Sequence, residues 1–151
     1  MKRRLFLGSA GALTVFAALP SLAVVPAREV QVFKSPYCGC CGAWVEHMRA
    51  AGFVVRVVEV HSAAVERKRL SMPDRFGSCH TATIDGYVLE GHVPATEVKR
   101  LLTTKPTVIG LAVPSMPPGS PGMELGARKD LYQVLLIDIT GRASVYASYP
   151  Q

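Results

Sequence analysis

The sequence predicts a small α/β domain in which helices cover the faces of one sheet. Strand patterns and helical patterns alternate along most of the 151 residues. We find no internal repeat and no linker that would divide the chain. Once an N-terminal export segment is set aside, the 128 remaining residues suffice for one domain with a modest core.

The first 23 residues have the features of an export signal. A basic start, residues 2–4, precedes an uncharged apolar run, residues 5–19. Small residues at positions 21 and 23 predict cleavage after Ala23. The paired arginines fit the twin-arginine pattern. An ordinary secretory signal and an uncleaved membrane anchor are the alternatives, and Pro20 argues against the anchor.

The chain after the predicted cleavage, residues 24–151, has 14 basic and 11 acidic residues, a net charge of +3. This small balance predicts solubility but no particular partner. The export signal predicts a periplasmic protein that has no stable membrane anchor after cleavage and no nucleic-acid partner. The one dense basic run, Arg67-Lys68-Arg69, is expected on the solvated face of a helix. Asp85 and Glu90 are isolated acids, also expected in solvent.

The first half is predicted to run strand, turn, helix and strand. Apolar alternation over residues 29–34 predicts a strand, which ends before Pro36 because proline cannot pair within a ladder. Apolar residues at the spacing of one helical face predict a helix over 41–51, closed by Gly52. The β-branched run 53–58 predicts a buried strand.

Later elements follow from caps and turns. Ser62 is a suitable cap for a helix over 63–70, and Asp85-Gly86 predicts a hairpin turn within 81–89. Pro94 begins a third helix that runs through Leu102. Residues 115–126 are rich in proline and glycine and predict a long ordered loop or lid. Residues 108–113 are a short apolar segment that ends at Pro114, and two further strands are predicted at 132–139 and 142–149.

Three of the four cysteines lie in Cys38-Gly39-Cys40-Cys41, between the first strand and the first helix. Thioredoxin-like domains begin in this way, and Cys38 and Cys41 form a C-x-x-C pair. We therefore predict a thioredoxin-like single domain with a cysteine-rich turn. The analogy concerns the fold and does not settle function.

Three interpretations of the thiols are open. Two disulfides, the first joining Cys38 to Cys41 and the second Cys40 to Cys79, would hold one small region rather than the whole domain. Thiol–disulfide exchange by Cys38 and Cys41 is less favoured, because Cys40 offers a competing internal partner that would scramble the pair. Metal binding is favoured, because three thiols in four residues suit thiolates that bridge several ions. Soft thiolates select Cu(I), whereas a single tetrahedral zinc would leave Cys40 unused.

Histidines extend the candidate site. His80 follows Cys79 in a predicted loop and is taken as a ligand. His92 is a weaker candidate for a supporting or substrate-side role. His47 lies about 10 Å along the helix from the thiols, too far to share a metal. His61 is expected on the surface.

Three methionines have two open interpretations. Met72, Met116 and Met123 offer thioethers to Cu(I), but methionine more often fills gaps in a core. The loop that holds the last two is expected to fold over the site. Trp44 is expected to pack the first helix onto the sheet.

Longer motifs are spread over nearly all of residues 24–151. They are Lys34-Ser35-Pro36-Tyr37-Cys38-Gly39-Cys40-Cys41 with Trp44, Met72-Pro73, Ser78-Cys79-His80-Thr81-Ala82, Gly86-Tyr87, Glu90-Gly91-His92-Val93-Pro94, Gly110-Leu111-Ala112-Val113-Pro114 and Gly119-Ser120-Pro121-Gly122-Met123-Glu124. Together they resemble the DUF411 family of exported metal-binding proteins. The resemblance implies a thioredoxin-like fold and copper in a cysteine-bridged cluster of several ions. The implied ligands are Cys38, Cys40, Cys41 and Cys79, with His80. Ser115 stands where the family pattern has glycine.

The sequence thus predicts a periplasmic protein that holds Cu(I) for copper resistance, with conversion between copper oxidation states left open. A thioredoxin-type thiol–disulfide oxidoreductase is one alternative. A passive carrier that passes copper to other periplasmic copper-handling proteins is another.

Overall fold

The computed structural model describes residues 28–124 and 126–150, so the predicted export signal, residues 1–23, lies outside the described part of the chain. The strands are β1 (Glu29–Lys34), β2 (Val54–Glu59), β3 (His80–Ile84), β4 (Tyr87–Glu90), β5 (Val108–Ala112), β6 (Tyr132–Asp138) and β7 (Ala143–Tyr149). The helices are α1 (Gly39–Ala50), α2 (Ala63–Arg69) and α3 (Ala95–Thr104), with a short 3₁₀ helix at Asp74–Phe76. None of the helices described here has the length and hydrophobicity to span a bilayer.

The seven strands form one sheet in the order β2-β1-β3-β4-β5-β6-β7. β1 runs parallel to β2, and β4 runs parallel to β5. The other neighbouring strands are antiparallel, including the hairpin that Asp85-Gly86 predicted between β3 and β4. The described chain is therefore a single mixed α/β domain, as the sequence predicted.

Alternation along the strands divides the apolar core between the two faces of the sheet. On one face α1 and α3 bury their apolar sides, and Trp44 and Leu101 are fully buried there. Burying a side chain such as Leu101 contributes about 1.5–3 kcal/mol. On the other face Met72 and Phe76 form a smaller cluster with Val88. The predicted role of Trp44 in packing α1 onto the sheet is confirmed.

The burial predicted for the second strand is wrong. β2 lies at the edge of the sheet, where Val54 is 48% and Val57 37% exposed. β-branched residues favour a pleated strand without specifying how deeply it is buried. The run of valines therefore predicted the strand correctly but not its position in the sheet.

Candidate metal centre

The cysteine-rich turn connects β1 to α1. Cys38 is the N-cap residue of α1, so the helix begins at Gly39, two residues earlier than predicted. The amide of Cys38 donates to the carbonyl of Ser35 at 3.1 Å and closes the turn. Cys40 and Cys41 thus lie in the first helical turn, which contains no acidic residue. The positive end of the helix dipole favours negatively charged sulfur at this point.

β3 brings the fourth cysteine to the same end of the sheet. It pairs with β1 in antiparallel register, with His80 opposite Lys34. Because Cys79 directly precedes β3 and the cysteine-rich turn directly follows β1, the two segments meet. The register explains how thiols 39 residues apart in sequence become neighbours.

The four cysteine sulfur atoms all lie within 4.8 Å of one another. Cys38 and Cys41 are joined by a disulfide, whereas Cys40 and Cys79 are free thiols. The sulfur of Cys40 lies 3.5 Å from that of Cys38 and 3.8 Å from that of Cys79. The first of the two disulfides considered from the sequence is therefore present, and the second pair is close but not bonded.

The distance between the two free thiols suits a shared metal ion. With metal–sulfur bonds of about 2.3 Å, two sulfurs on a tetrahedral ion lie about 3.8 Å apart. The Cys40 and Cys79 sulfurs have this separation, 3.8 Å. In the disulfide form only these two thiols can bind metal. Reduction of the Cys38–Cys41 bond would add two more soft donors, which favour Cu(I).

The proline- and glycine-rich loop packs against the cysteine-rich turn. The thioether sulfur of Met116 lies 4.0 Å from the sulfur of Cys40. Gly122 approaches α1 so closely that an added Cβ would lie 2.7 Å from the backbone nitrogen of Trp44. Ser115 has a φ of 63°, a backbone region that favours glycine, which is the residue expected from the family pattern. The loop is thus in contact with the thiols, as a lid would be.

His92 approaches Cys79 more closely than the sequence indicated. Its Nε2 lies 3.1 Å from the Cys79 sulfur, and its Nδ1 lies 2.8 Å from the carbonyl oxygen of Pro121. A carbonyl only accepts, so Nδ1 carries the proton and Nε2 presents its lone pair to the sulfur. The register of the β3–β4 hairpin accounts for this proximity. Thr81 pairs with Glu90, and two residues further along, Cys79 comes opposite His92.

His80 is fully buried beside the same sulfur. Its Nδ1 lies 3.5 Å from the Cys79 sulfur, and its Nε2 has no hydrogen-bond partner among the described residues. Burial lowers the pKa of His80 to about 3 and also lowers the pKa of His92, so both imidazoles are neutral at pH 7. Burial raises the pKa of Cys79 to about 12, and the charge of Cys40 adds to this shift. A metal that binds Cys79 must therefore displace a proton.

The other candidates have ordinary structural roles. The Nε2 of His47 accepts a hydrogen bond from the amide of Ala95 at 3.0 Å, which ties α1 to the start of α3. His61 is exposed, as predicted. Met72 is 1% exposed in the smaller core cluster, so it fills a gap in the core.

Two charged residues expected in solvent are buried behind Cys79. Arg67 donates to the carboxylates of Glu90 at 3.1 Å and Asp74 at 3.2 Å. Glu90 is fully buried and also accepts hydrogen bonds from the Thr81 hydroxyl at 2.6 Å and the Ser78 amide at 2.7 Å. Burial raises the pKa of Glu90, while these hydrogen bonds and the nearby guanidinium oppose the shift.

The prediction of solvated positions failed because it considered each charge within its own segment. Folding brings α2 over the β3–β4 hairpin, where the side chains of Arg67 and Glu90 form an ion pair. The resulting network holds the backbone immediately before Cys79 in place.

Comparison with known proteins identifies the family. A model described as "Protein of unknown function, DUF411" matches residues 76–123, which include Cys79, His80 and His92. Two solved structures of a copper resistance protein, CopG, are 44% identical to this chain. The TM-score is 0.78 for form 2 and 0.76 for form 1. Each alignment covers 82% of this chain, together with 99% of the form 2 chain or 98% of the form 1 chain. The comparison with curated proteins finds no match.

The mixed α/β fold and its cysteine-rich centre thus define a candidate metal-binding domain. The chain belongs to the DUF411 family, among the CopG-like copper-resistance proteins.

Proposed function

We propose that this protein is an exported copper-binding protein that holds Cu(I) in its cysteine-rich centre and contributes to copper resistance. The observation that carries the proposal is the convergence of four cysteine sulfurs within 4.8 Å. Thiolates select Cu(I), and the structural relatives are named as copper resistance proteins. The proposed ligands are Cys38, Cys40, Cys41 and Cys79, with His80.

The compactness of the cluster favours more than one copper ion. Each thiolate can bridge two soft ions, so four sulfurs this close can hold several coppers with few ligands. We therefore propose a cysteine-bridged cluster rather than one isolated ion.

The Cys38–Cys41 disulfide connects copper binding to redox state. Its reduction takes up two electrons and two protons and yields two thiols. In the opposite direction, oxidation of the two thiolates to the disulfide releases two electrons, which reduce two Cu(II) ions to Cu(I). One such conversion needs no other reductant, whereas repeated turnover needs an external thiol. The proposal therefore includes copper redox conversion.

The fold and location are part of the same proposal. A cysteine-rich turn between β1 and α1, with β1 parallel to β2, supports a thioredoxin-like assignment. The charge and hydropathy pattern of residues 1–23 supports export to the periplasm.

Anaerobic titration with Cu(I), in competition with a chromophoric Cu(I) chelator, tests the proposal. The fully reduced protein is expected to bind more than one Cu(I), and Cys40→Ser is expected to bind fewer ions, each more weakly. His61→Ala alters an exposed histidine outside the centre and is the matched control. Equal copper binding by reduced wild-type protein and Cys40→Ser would contradict the proposal.

Thiol–disulfide exchange is the second candidate function. It is favoured by the Cys38–Cys41 disulfide and by the sulfur of Cys40, 3.5 Å from that of Cys38. Rapid reduction of insulin by metal-free protein, lost in Cys38→Ser, would favour it over copper binding. A passive carrier would instead pass its Cu(I) to an acceptor protein without any change in free-thiol count.

A further inference from the structure

We propose that Cys79, His80 and His92 form a second metal subsite, which takes a divalent transition-metal ion through two imidazoles and one thiolate. In a copper-binding protein that ion is Cu(II). The identity of the metal rests on the proposed function, whereas the geometry of the subsite does not. The subsite needs none of the three cysteines of the cysteine-rich turn, and it adds His92, which is not among the ligands proposed for the cluster.

The distances are those of ligands before a metal enters. With metal–sulfur bonds of about 2.3 Å and metal–nitrogen bonds of about 2.0 Å, a tetrahedral ion places sulfur and nitrogen about 3.5 Å apart. The Cys79 sulfur lies 3.5 Å from Nδ1 of His80 and 3.1 Å from Nε2 of His92. The three donor atoms all lie within 4.8 Å of one another. Small side-chain rotations suffice to bring them around one ion.

The two histidines are held in place for this role. The Pro121 carbonyl fixes the proton of His92 on Nδ1, and such a partner on the far side of the ring is a general feature of metal-binding histidines. His80 is fully buried, with its ring centroid 4.5 Å from that of Trp44 and 5.0 Å from that of His92. Its Nε2 has no hydrogen-bond partner among the residues that the structure describes.

The donor set has a different metal preference from the cluster. Imidazole suits Cu(II) and other divalent transition ions, and two histidines with one cysteine form the core of electron-transfer copper sites. Cys79 and His80 belong to both sets, since the Cys79 sulfur is 3.8 Å from that of Cys40 and 3.5 Å from Nδ1 of His80. The subsite therefore gives Cu(II) a place beside the thiolates that bind Cu(I).

Co(II) is a suitable probe because it does not oxidise thiols under anaerobic conditions and its spectrum reports bound sulfur and coordination number. We would use Cys40→Ser with the Cys38–Cys41 disulfide intact, so that Cys79 is the remaining free thiol. One equivalent of Co(II) is expected to give a thiolate charge-transfer band and the d–d bands of a four-coordinate site. His92→Ala in this background is expected to weaken Co(II) binding by at least roughly 10-fold, since loss of even an outer partner of a ligand costs roughly 10–100-fold. The matched control is His61→Ala, which should leave it unchanged.

The unmutated disulfide form provides a second readout, in case His92→Ala fails to fold. With Co(II) on Nε2 of His92, the Nδ1 proton shielded by Pro121 should appear as a strongly shifted, slowly exchanging NMR signal. No Co(II) binding, binding without a sulfur band, or equal binding by His92→Ala would each overturn the subsite. Because the proposed function is tested with Cu(I) on the reduced protein, either proposal can fail while the other holds.

Discussion

Replacing Glu90 with leucine would remove the acceptor of three hydrogen bonds in the buried network behind Cys79. The Arg67 guanidinium, the Thr81 hydroxyl and the Ser78 amide all donate to this carboxylate. The Arg67 side chain is 10% exposed and would keep only Asp74, which is 72% exposed. The substitution therefore leaves a buried positive charge with one weak partner.

Removing one partner of a buried ion pair costs about 3–5 kcal/mol. Because Asp74 remains, we expect the lower end, about 3 kcal/mol less stability toward unfolding. For a domain of this size that corresponds to a fall in Tm of roughly 10 °C. Thermal and urea unfolding of the disulfide form would measure it. Since the Ser78 amide loses its acceptor, Glu90→Leu should also weaken Cu(I) binding at temperatures where the variant is folded.

The matched control is Glu29→Leu, which removes an exposed partner of Arg56. Both side chains of that pair are more than half exposed, so the expected loss is about 0–1 kcal/mol. Equal loss of stability in the two variants would show that the buried network does not stabilise the fold. Unchanged Cu(I) affinity in Glu90→Leu would show that the network does not position Cys79.

Two further predictions concern the loop and the effect of acid. Gly122→Val should push the loop away from α1, because an added Cβ would lie 2.7 Å from the backbone nitrogen of Trp44. The displaced loop should expose the Cys40 thiol, so that its alkylation, measured by mass spectrometry, becomes faster. The control is Gly126→Val, because Gly126 also has a positive φ but an added Cβ there meets no other atom. Equal rates of Cys40 alkylation in the two variants would contradict the predicted clash between residue 122 and α1. Hydrogen bonds from Thr140 and the turn around it lower the pKa of Asp138 from 3.8 to about 2. The ionised Asp138 carboxylate therefore stabilises the fold above pH 3.8, and this stabilisation is lost as the pH falls through 2. Urea midpoints at pH 5 and pH 2 should differ less in Asp138→Asn than in wild type, and an unchanged difference would refute this assignment.

Local signals in the sequence predicted most of the elements. Pro36, Gly52 and the Asp85-Gly86 turn end or join elements where backbone geometry requires it, so these boundaries follow from local chemistry. The cysteine-rich turn at a helix start also follows from spacing alone. Spacing could not show whether the cysteines are bonded to each other, since Cys38 and Cys41 can either form a disulfide or bind metal.

The errors concern contacts between distant segments. Arg67 and Glu90 were assigned to solvent because neither segment reveals the other, and their burial depends on α2 crossing the hairpin. The valines of β2 could not show that the strand lies at an edge. The contact between His92 and Cys79 could have been predicted from the sequence. Counting outward from the Asp85-Gly86 turn along both strands of the hairpin places the two residues opposite each other.

Metal content and free-thiol count of protein isolated from its native compartment, without added metal, test the central claim most directly. We expect several coppers per chain and no disulfide in the copper-loaded protein, and we expect much less copper in Cys79→Ser. Metal-free protein that reduces disulfides rapidly, and loses that activity in Cys38→Ser, would contradict it.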